Sequence, residues 1–355
     1  MRIVVASDFF MKMIAGQIGG FRSRGHEVML LCRAHATEFG GDQAERDRHL
    51  AEMGVPVIEL PGRRLEPGSF ADVRAARKRV REFNPDAVLV HENLDPRMLI
   101  AVLGFPIAYL IHDAVAHPGA KPIRPLLRPV SWAWKKAAAA IVVHDDSIAE
   151  LLPEDLRSRR PVSVIPHGAA ITRQIPLAAP PALNVLLFGR LEPYKGVGVL
   201  VEAMQTVWES RPEATLTVAG RGPAAAEVPA DPRVNLMDRY IPEAELESLF
   251  AAASVCVLPY TEASQSGVGL QSLSLGVPTV VTDVGALPGL AENESRLVPP
   301  SEPKMLGEAI VTALDAGLPE REATLEFARK NFSWEMVTKQ YETLFESIAL
   351  NRPDH

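Results

Sequence analysis

Cysteine is scarce: the 355-residue chain has two, Cys32 and Cys256. Two thiols exclude a disulfide framework, and neither stands at metal-ligand spacing. Their apolar neighbours (LLCRA and VCVLP) predict small buried side chains in a reducing compartment. Cationic excess is also missing. A net charge of −7 argues against a general nucleic-acid binder, which needs clustered cations for phosphates. No apolar run approaches the roughly 20 residues that span a bilayer. The opening MRIVVAS turns polar too soon for a signal peptide. The expectation is a cytoplasmic protein with no nucleic-acid partner. The first strand is not followed by G-x-G-x-x-G, which disfavours a dinucleotide-dependent dehydrogenase. No D-x-D pair stands at a strand end, so no metal is expected.

What is present is an alternation. Strand-like apolar runs occur at 3–7, 27–32, 86–91, 106–112, 140–144 and 162–168, and again at 184–189, 214–220, 254–260 and 278–283. Runs this apolar are buried on both faces, as in parallel sheets covered by helices. Helical patterns such as 70–83 and 197–209 lie between them. Asn84-Pro85 ends the first, and Arg211-Pro212 follows the second. Strand–helix alternation defines a doubly wound α/β class. It is interrupted once, at 169–183 (AAITRQIPLAAPPAL), which reads as a linker. Two similar domains follow, 1–168 and 184–330. A last helical segment in 331–355 is expected to pack back on the first.

The stretch VLLFGRLEPYKGVGVLVEA (185–203) carries the strongest chemical signal. Ligands of doubly wound sheets bind at the carboxyl ends of strands, where this loop lies. Gly189 allows close backbone approach. Arg190 offers a forked donor and Lys195 a mobile point charge for phosphate oxygens. Two ordinary surface cations on a solvated loop is the alternative. A second stretch, PYTEASQSGVGLQSLSLGVPTVVTD (259–283), ends a strand and starts a helix near Gly267. Ser266, Gly267 and Val268 would present free N–H groups there. Glu262 precedes them, where it could hold sugar hydroxyls. One diphosphate ligand would explain both anion-ready loops.

These motifs, F-G-R-x-x-x-x-K-G and P-Y-x-E-A-x-Q-S-G-V, resemble the retaining nucleotide-sugar glycosyltransferases of family 4. R-G-H-E-V (24–28), I-P-H-G (165–168) and F-S-W (332–334) are similar to the same family. The resemblance implies the GT-B fold: two Rossmann-like doubly wound domains facing a central cleft. It implies that Arg190 and Lys195 bind the donor diphosphate, with Gly189 beside them. Ser266, Gly267 and Val268 would cradle the same phosphates, and Glu262 would contact the donor sugar. DRYIPEAEL (238–246) resembles the segment facing the nucleobase, which brings in Arg239 and Tyr240. The commoner family signature has two glutamates at the sugar and ribose. Here Gln271 stands at the second position and Ala263 at the first, with Glu262 one residue before, so the chain fits the Q-S-G-V form. A glutamine bonds ribose hydroxyls without charge.

In the first domain His112 ends a strand, and the resemblance places it near the donor's anomeric carbon. A satisfied strand-end histidine is the alternative. Asp113, His117, His91 and Gly16 are candidates on the acceptor side. Met13, Ile14, Ile18 and Phe21 form a helical face, which places Gly19-Gly20 inside a helix. Residues 121–136 (KPIRPLLRPVSWAWKK) mix cations with Trp132 and Trp134. They either touch an anionic membrane surface or pack their tryptophans inward.

The expected reaction moves a hexose from a UDP- or GDP-sugar to an acceptor hydroxyl with retention and without metal. The acceptor would be a glycan, a lipid-linked glycan or a natural product. His112, Arg190, Lys195 and Glu262 are the candidate catalytic groups. No cofactor is expected beyond the nucleotide-sugar co-substrate. A nucleotide-sugar epimerase of the same fold and a non-catalytic nucleotide-sugar binder remain open.

Overall fold

A computed structural model describes residues 1–35, 37–39, 41–62, 70–112, 125–171, 183–263 and 265–350. The chain divides into two units. One comprises Met1–Gly168 and the chain from Trp334 onward, the other Ala169–Ser333. Each is a parallel sheet covered on both faces by helices. Most of the expected linker, 172–182, lies outside the described residues.

The first unit holds strands β1 (Arg2–Ser7), β2 (Glu27–Arg33), β3 (Val57–Leu60), β4 (Ala87–His91), β5 (Ile107–Leu110), β6 (Ala140–Val143) and β7 (Val162–Val164), in the order β3-β2-β1-β4-β5-β6-β7. Its helices are α1 (Met11–Ser23), α2 (Gln43–Glu52), α3 (Phe70–Phe83), α4 (Pro96–Val102), α5 (Arg128–Ala137), α6 (Asp146–Leu151) and α7 (Glu154–Arg157). Successive residues of a strand point to opposite faces, and in β1 and β4 both faces are buried. Ile3 and Val5 of β1 face one core with Ile14, Ile18 and Phe21 of α1. Val4 and Ala6 face the other core with Tyr109 and Trp134. Met11, Ile14, Ile18 and Phe21 recur at helical spacing and are buried, which fixes the inward face of α1.

The second unit holds β8 (Asn184–Phe188), β9 (Thr215–Gly220), β10 (Val234–Asp238), β11 (Val255–Leu258), β12 (Thr279–Thr282) and β13 (Leu297–Val298), in the order β10-β9-β8-β11-β12-β13. Helices α8 (Val197–Ser210), α9 (Glu243–Ala251), α10 (Gly267–Ser274) and α11 (Pro303–Phe332) cover it. The last of these breaks at Gly317, where φ is 68° and ψ −151°. Strands β3, β10 and β13 are missing from the apolar runs above for a physical reason. β3 and β10 are edge strands with partly exposed side chains, and β13 has two residues.

The final helix, α12 (Trp334–Leu350), belongs to the first unit. Tyr341 and Phe345 pack on Phe21, with ring centroids 5.9 and 5.8 Å away. Arg24 and His26 of the R-G-H-E-V segment both bind Glu342, the Arg24 Nη2–Oε2 distance being 2.6 Å. Trp334 lies against Gly16 and Gly168. A Cβ at those two positions would fall 2.1 Å from its Nε1 and 2.3 Å from its Cε3. Gly16, expected near an acceptor, therefore has a packing role that no short-range pattern reveals. Gly19 and Gly20 are both within α1. Cys32 and Cys256 are buried and free. Among the described residues no helix is long and apolar enough to cross a membrane.

Candidate functional site

In the second unit all strands are parallel, so their carboxyl ends share one edge. The topology diverges between β8 and β11: β9 and β10 lie to one side, β12 and β13 to the other. A crevice opens at such a switch point. Its walls here are the loop 189–196 and the loop 259–266.

The first loop is clamped in place. Leu191 N–H donates to Arg221 O at 3.0 Å, and Ala224 N–H returns to Leu191 O at 2.9 Å. Thr261 N–H donates to Tyr194 O at 2.8 Å, joining the two walls. Gly196 (φ 68°) and Gly220 (φ 143°) make this possible. A Cβ would fall 1.9 Å from Pro259 O at Gly196, and 1.7 Å from Gly189 O at Gly220. Gly189 has φ 129°, and a Cβ there would meet only Val268, at 3.5 Å, so there is room on that side of the strand end.

Lys195 is half-buried with its ammonium 3.7 Å from the Tyr260 ring centre and 5.2 Å from that of Tyr194. Among the described residues no carboxylate pairs with it. Burial, then the neighbouring charge of Arg190, lowers its pKa to about 8. Arg190 is exposed and unpaired among the described residues. The loop thus presents two cations that make no ion pair among the described residues.

Across the crevice, Tyr260 Oη and Ser266 Oγ are 3.2 Å apart. Ser266 caps α10, and its Oγ accepts from Gly269 N–H at 3.4 Å. A capping serine fixes the start of the helix, where Gly267 and Val268 N–H groups have no acceptor among the described residues. A Cβ on Gly267 would meet open space. Glu262 is exposed on the loop before it, and Gln271 is half-buried one turn into α10. Tyr240, just beyond β10 on the same edge, is 79% exposed, an unusual setting for a large ring. Arg239 beside it is engaged by Glu245, with Nη2–Oε2 at 2.6 Å, and this exposed pair turns its guanidinium toward α9.

In the first unit a row of histidines occupies the carboxyl edge of four neighbouring strands. His91 ends β4, His112 follows β5, His144 follows β6 and His167 follows β7. His91 Nδ1 is 3.3 Å from His112 Nε2. Ring centroids are 5.2 Å apart for His112 and His144, and 4.9 Å for His144 and His167. The Phe10 ring lies against His112, tilted by 33° with centroids 4.3 Å apart. Burial holds all four below the ordinary histidine pKa, His91 at about 3, so each is neutral near pH 7. Among the described residues no group of His, Cys, Asp or Glu is arranged to hold a metal ion.

Neutrality fixes tautomers. Gln17 Oε1 lies 2.9 Å from His91 Nε2, so that nitrogen carries the proton. His91 Nδ1 is then an acceptor, and His112 Nε2–H must donate to it. His112 Nδ1 is left as an acceptor. His91 was expected to meet an acceptor directly. It is 1% exposed with both nitrogens engaged, so it positions His112 instead. Sequence reading misses Gln17, His144 and His167. The histidines end apolar runs, but only the sheet order sets them side by side. Asp113 and His117 lie outside the described residues, as do residues 121–124. Of the two tryptophans that follow, Trp134 is buried and Trp132 exposed.

Residues 14–173 match the family model "Glycosyltransferase Family 4". Residues 182–316 match "Glycosyl transferases group 1". The D-inositol 3-phosphate glycosyltransferase of Corynebacterium efficiens is 30% identical over 219 residues, covering 53% of this chain and 51% of that protein. The chain thus spans about half the length of that relative. A GDP-mannose-dependent α-(1-6)-phosphatidylinositol dimannoside mannosyltransferase of Mycobacterium tuberculosis is 23% identical, covering 99% of this chain and 97% of that protein. Among solved structures, Anabaena HepE in complex with UDP superimposes with a TM-score of 0.67 at 16% identity, covering 98% of this chain and 100% of that one. Together these findings support a glycosyltransferase of the family 4 type, and the fold is GT-B.

Proposed function

We propose that the protein transfers a hexose from a UDP- or GDP-sugar to an acceptor hydroxyl, with retention and without a metal ion. The observation carrying this reading is the cation couple Arg190 and Lys195, in no ion pair among the described residues, on the same strand edge as the Ser266-capped start of α10 with its Gly267 and Val268 N–H groups. A diphosphate would give counter-charge to the two cations and acceptors to the Gly267 and Val268 N–H groups. UDP in the HepE complex and GDP-mannose in the mycobacterial relative's name support a nucleoside diphosphate. Tyr240 is assigned the base, Gln271 the ribose and Glu262 the sugar hydroxyls, and His112 is proposed as the first unit's own sugar-binding group. Arg239 is a weaker candidate, since it must leave Glu245 to reach a base. Asp113 and His117 are proposed for the acceptor.

In the reaction the bond from the anomeric carbon to the β-phosphate oxygen breaks, and its electron pair leaves with the diphosphate. Arg190, Lys195 and the α10 amides stabilise that growing charge. The acceptor oxygen bonds to the anomeric carbon on the same face, and its proton passes to the departing phosphate oxygen. Buried, free Cys32 and Cys256 suit a reducing, cytoplasmic setting.

The test is product analysis of UDP- and GDP-hexoses incubated with hydroxyl acceptors and a chelator, with the product's anomeric configuration read by NMR. The reading predicts an acceptor-dependent glycoside of the donor's configuration. An inverted product, a requirement for divalent metal, or an epimerised donor formed without acceptor would each refute it.

A further inference from the structure

The first unit has a charged feature on the opposite edge of its sheet from the neutral histidine row. Helix α5 ends just before β6 begins, and the α7 turn ends just before β7 begins. Both ends therefore lie at the amino-terminal edge. Between them is a cavity of about 580 Å³. Its walls include Trp132, Lys135, Lys136, Asp155, Arg159 and Arg160. Arg160 clamps the two segments by donating from Nη2 to Lys136 O at 2.8 Å.

Four cations and one carboxylate line this one concavity. Among the described residues none of the four cations is in an ion pair, although Lys135 and Arg160 are half-buried. The whole chain is net negative at −7, so this concentration of positive charge is local. Like charges converging on a concave wall repel one another and focus a positive potential into it. An anion bound there removes that repulsion. The rim is aromatic: Trp132 is 63% exposed, with Lys136 Nζ 4.8 Å from its ring centre. The volume is that of a site for an organic molecule rather than a bare ion.

We propose that this cavity binds a phosphate-bearing organic molecule, with Lys135, Lys136 and Arg159 on the phosphate and Trp132 on its carbon skeleton. The site is separate from the donor crevice of the second unit, and its existence does not depend on the donor reading. The same chemistry can be presented by an anionic phospholipid headgroup or by a free phosphorylated metabolite.

The test has two arms, both on the full chain. In the first, the protein is sedimented with vesicles of phosphatidylglycerol and phosphatidylcholine, against vesicles of phosphatidylcholine alone. In the second, sn-glycerol 3-phosphate is titrated while the emission of Trp132 is followed, as the difference between the parent and Trp132→Phe. The proposal expects one arm to be positive, and Lys135→Gln with Arg159→Gln to weaken that binding about 30-fold, a factor of about five per basic residue. A positive vesicle arm assigns the headgroup, and a positive soluble arm assigns the metabolite. Should the double variant fail to fold, the exposed Lys136→Gln reads the same effect at about fivefold. No binding in either arm, or binding that the folded variants leave unchanged, overturns the proposal.

Discussion

The ammonium of Lys195 lies 3.7 Å from the centre of the Tyr260 ring, with no carboxylate paired to it among the described residues. The ring faces a cation that burial has partly stripped of water, and its hydroxyl meets the serine that starts α10. Both walls of the crevice are linked through one tyrosine. A desolvated, unpaired cation is a poor contributor to stability and a strong anchor for an anion. Lys195→Met is therefore predicted to leave the unliganded melting midpoint unchanged or raised, while removing stabilisation by nucleoside diphosphates. A lowered midpoint in the unliganded variant would show that Lys195 serves the fold.

The lowered pKa gives the crevice a pH signature. Lys195 is charged below about pH 8 and loses its proton above it. Affinity for a nucleoside diphosphate should weaken as pH rises through 8 to 10, and this dependence should vanish in Lys195→Met. Isothermal titration of UDP and GDP at pH 7 and pH 8.5, below the titration of the uracil and guanine ring N–H groups, checks both statements.

The histidine row predicts acid sensitivity. His91, His112, His144 and His167 are held below their unfolded value of about 6.5, so the unfolded chain binds more protons than the folded one as pH falls below it. Their full contribution is present above pH 6.5 and is lost on acidification, at up to about 1.4 kcal/mol per pH unit for each. Urea unfolding of the first unit's signal at pH 7.5 and pH 5 measures it. A transition midpoint that does not fall at pH 5 would contradict the burial of these rings.

Three glycines separate backbone necessity from helix propensity. Gly196→Ala and Gly220→Ala press a Cβ onto a carbonyl oxygen at positive φ, and each should cost more than about 2 kcal/mol. Gly19→Ala meets nothing within 4 Å on the exposed side of α1. It should add roughly 0.5–1 kcal/mol. Denaturant midpoints order the three, and equal effects would refute the close approach of loop 189–196 to the strand ends.

Much of this was legible in the chain because the chemistry was local. Runs such as AVLVH and NVLLF are apolar on both faces, and a parallel sheet between helices is the structure that buries both. Arg190, Lys195 and Ser266 sit beside strand ends, so motif and site coincide. What stayed hidden depends on distant pairs. Gly16 is explained by Trp334, Arg24 by Glu342, and His112 by Gln17 and His91. Strand order, not sequence order, brings His112, His144 and His167 together. Edge strand β10 carries too little apolar surface to announce itself, although Tyr240 follows it directly.

The most direct measurement is the melting midpoint of the full chain with UDP and GDP, in the parent, Arg190→Ala and Lys195→Ala. At about 100 times its dissociation constant, a bound nucleotide should add roughly 2.7 kcal/mol to the parent. The account predicts that at least one of the two raises the parent's midpoint and that both variants, folded, lose the rise. An equal rise in parent and variants would place the nucleotide elsewhere. No rise in the folded parent with either nucleotide would contradict a diphosphate site between loop 189–196 and α10.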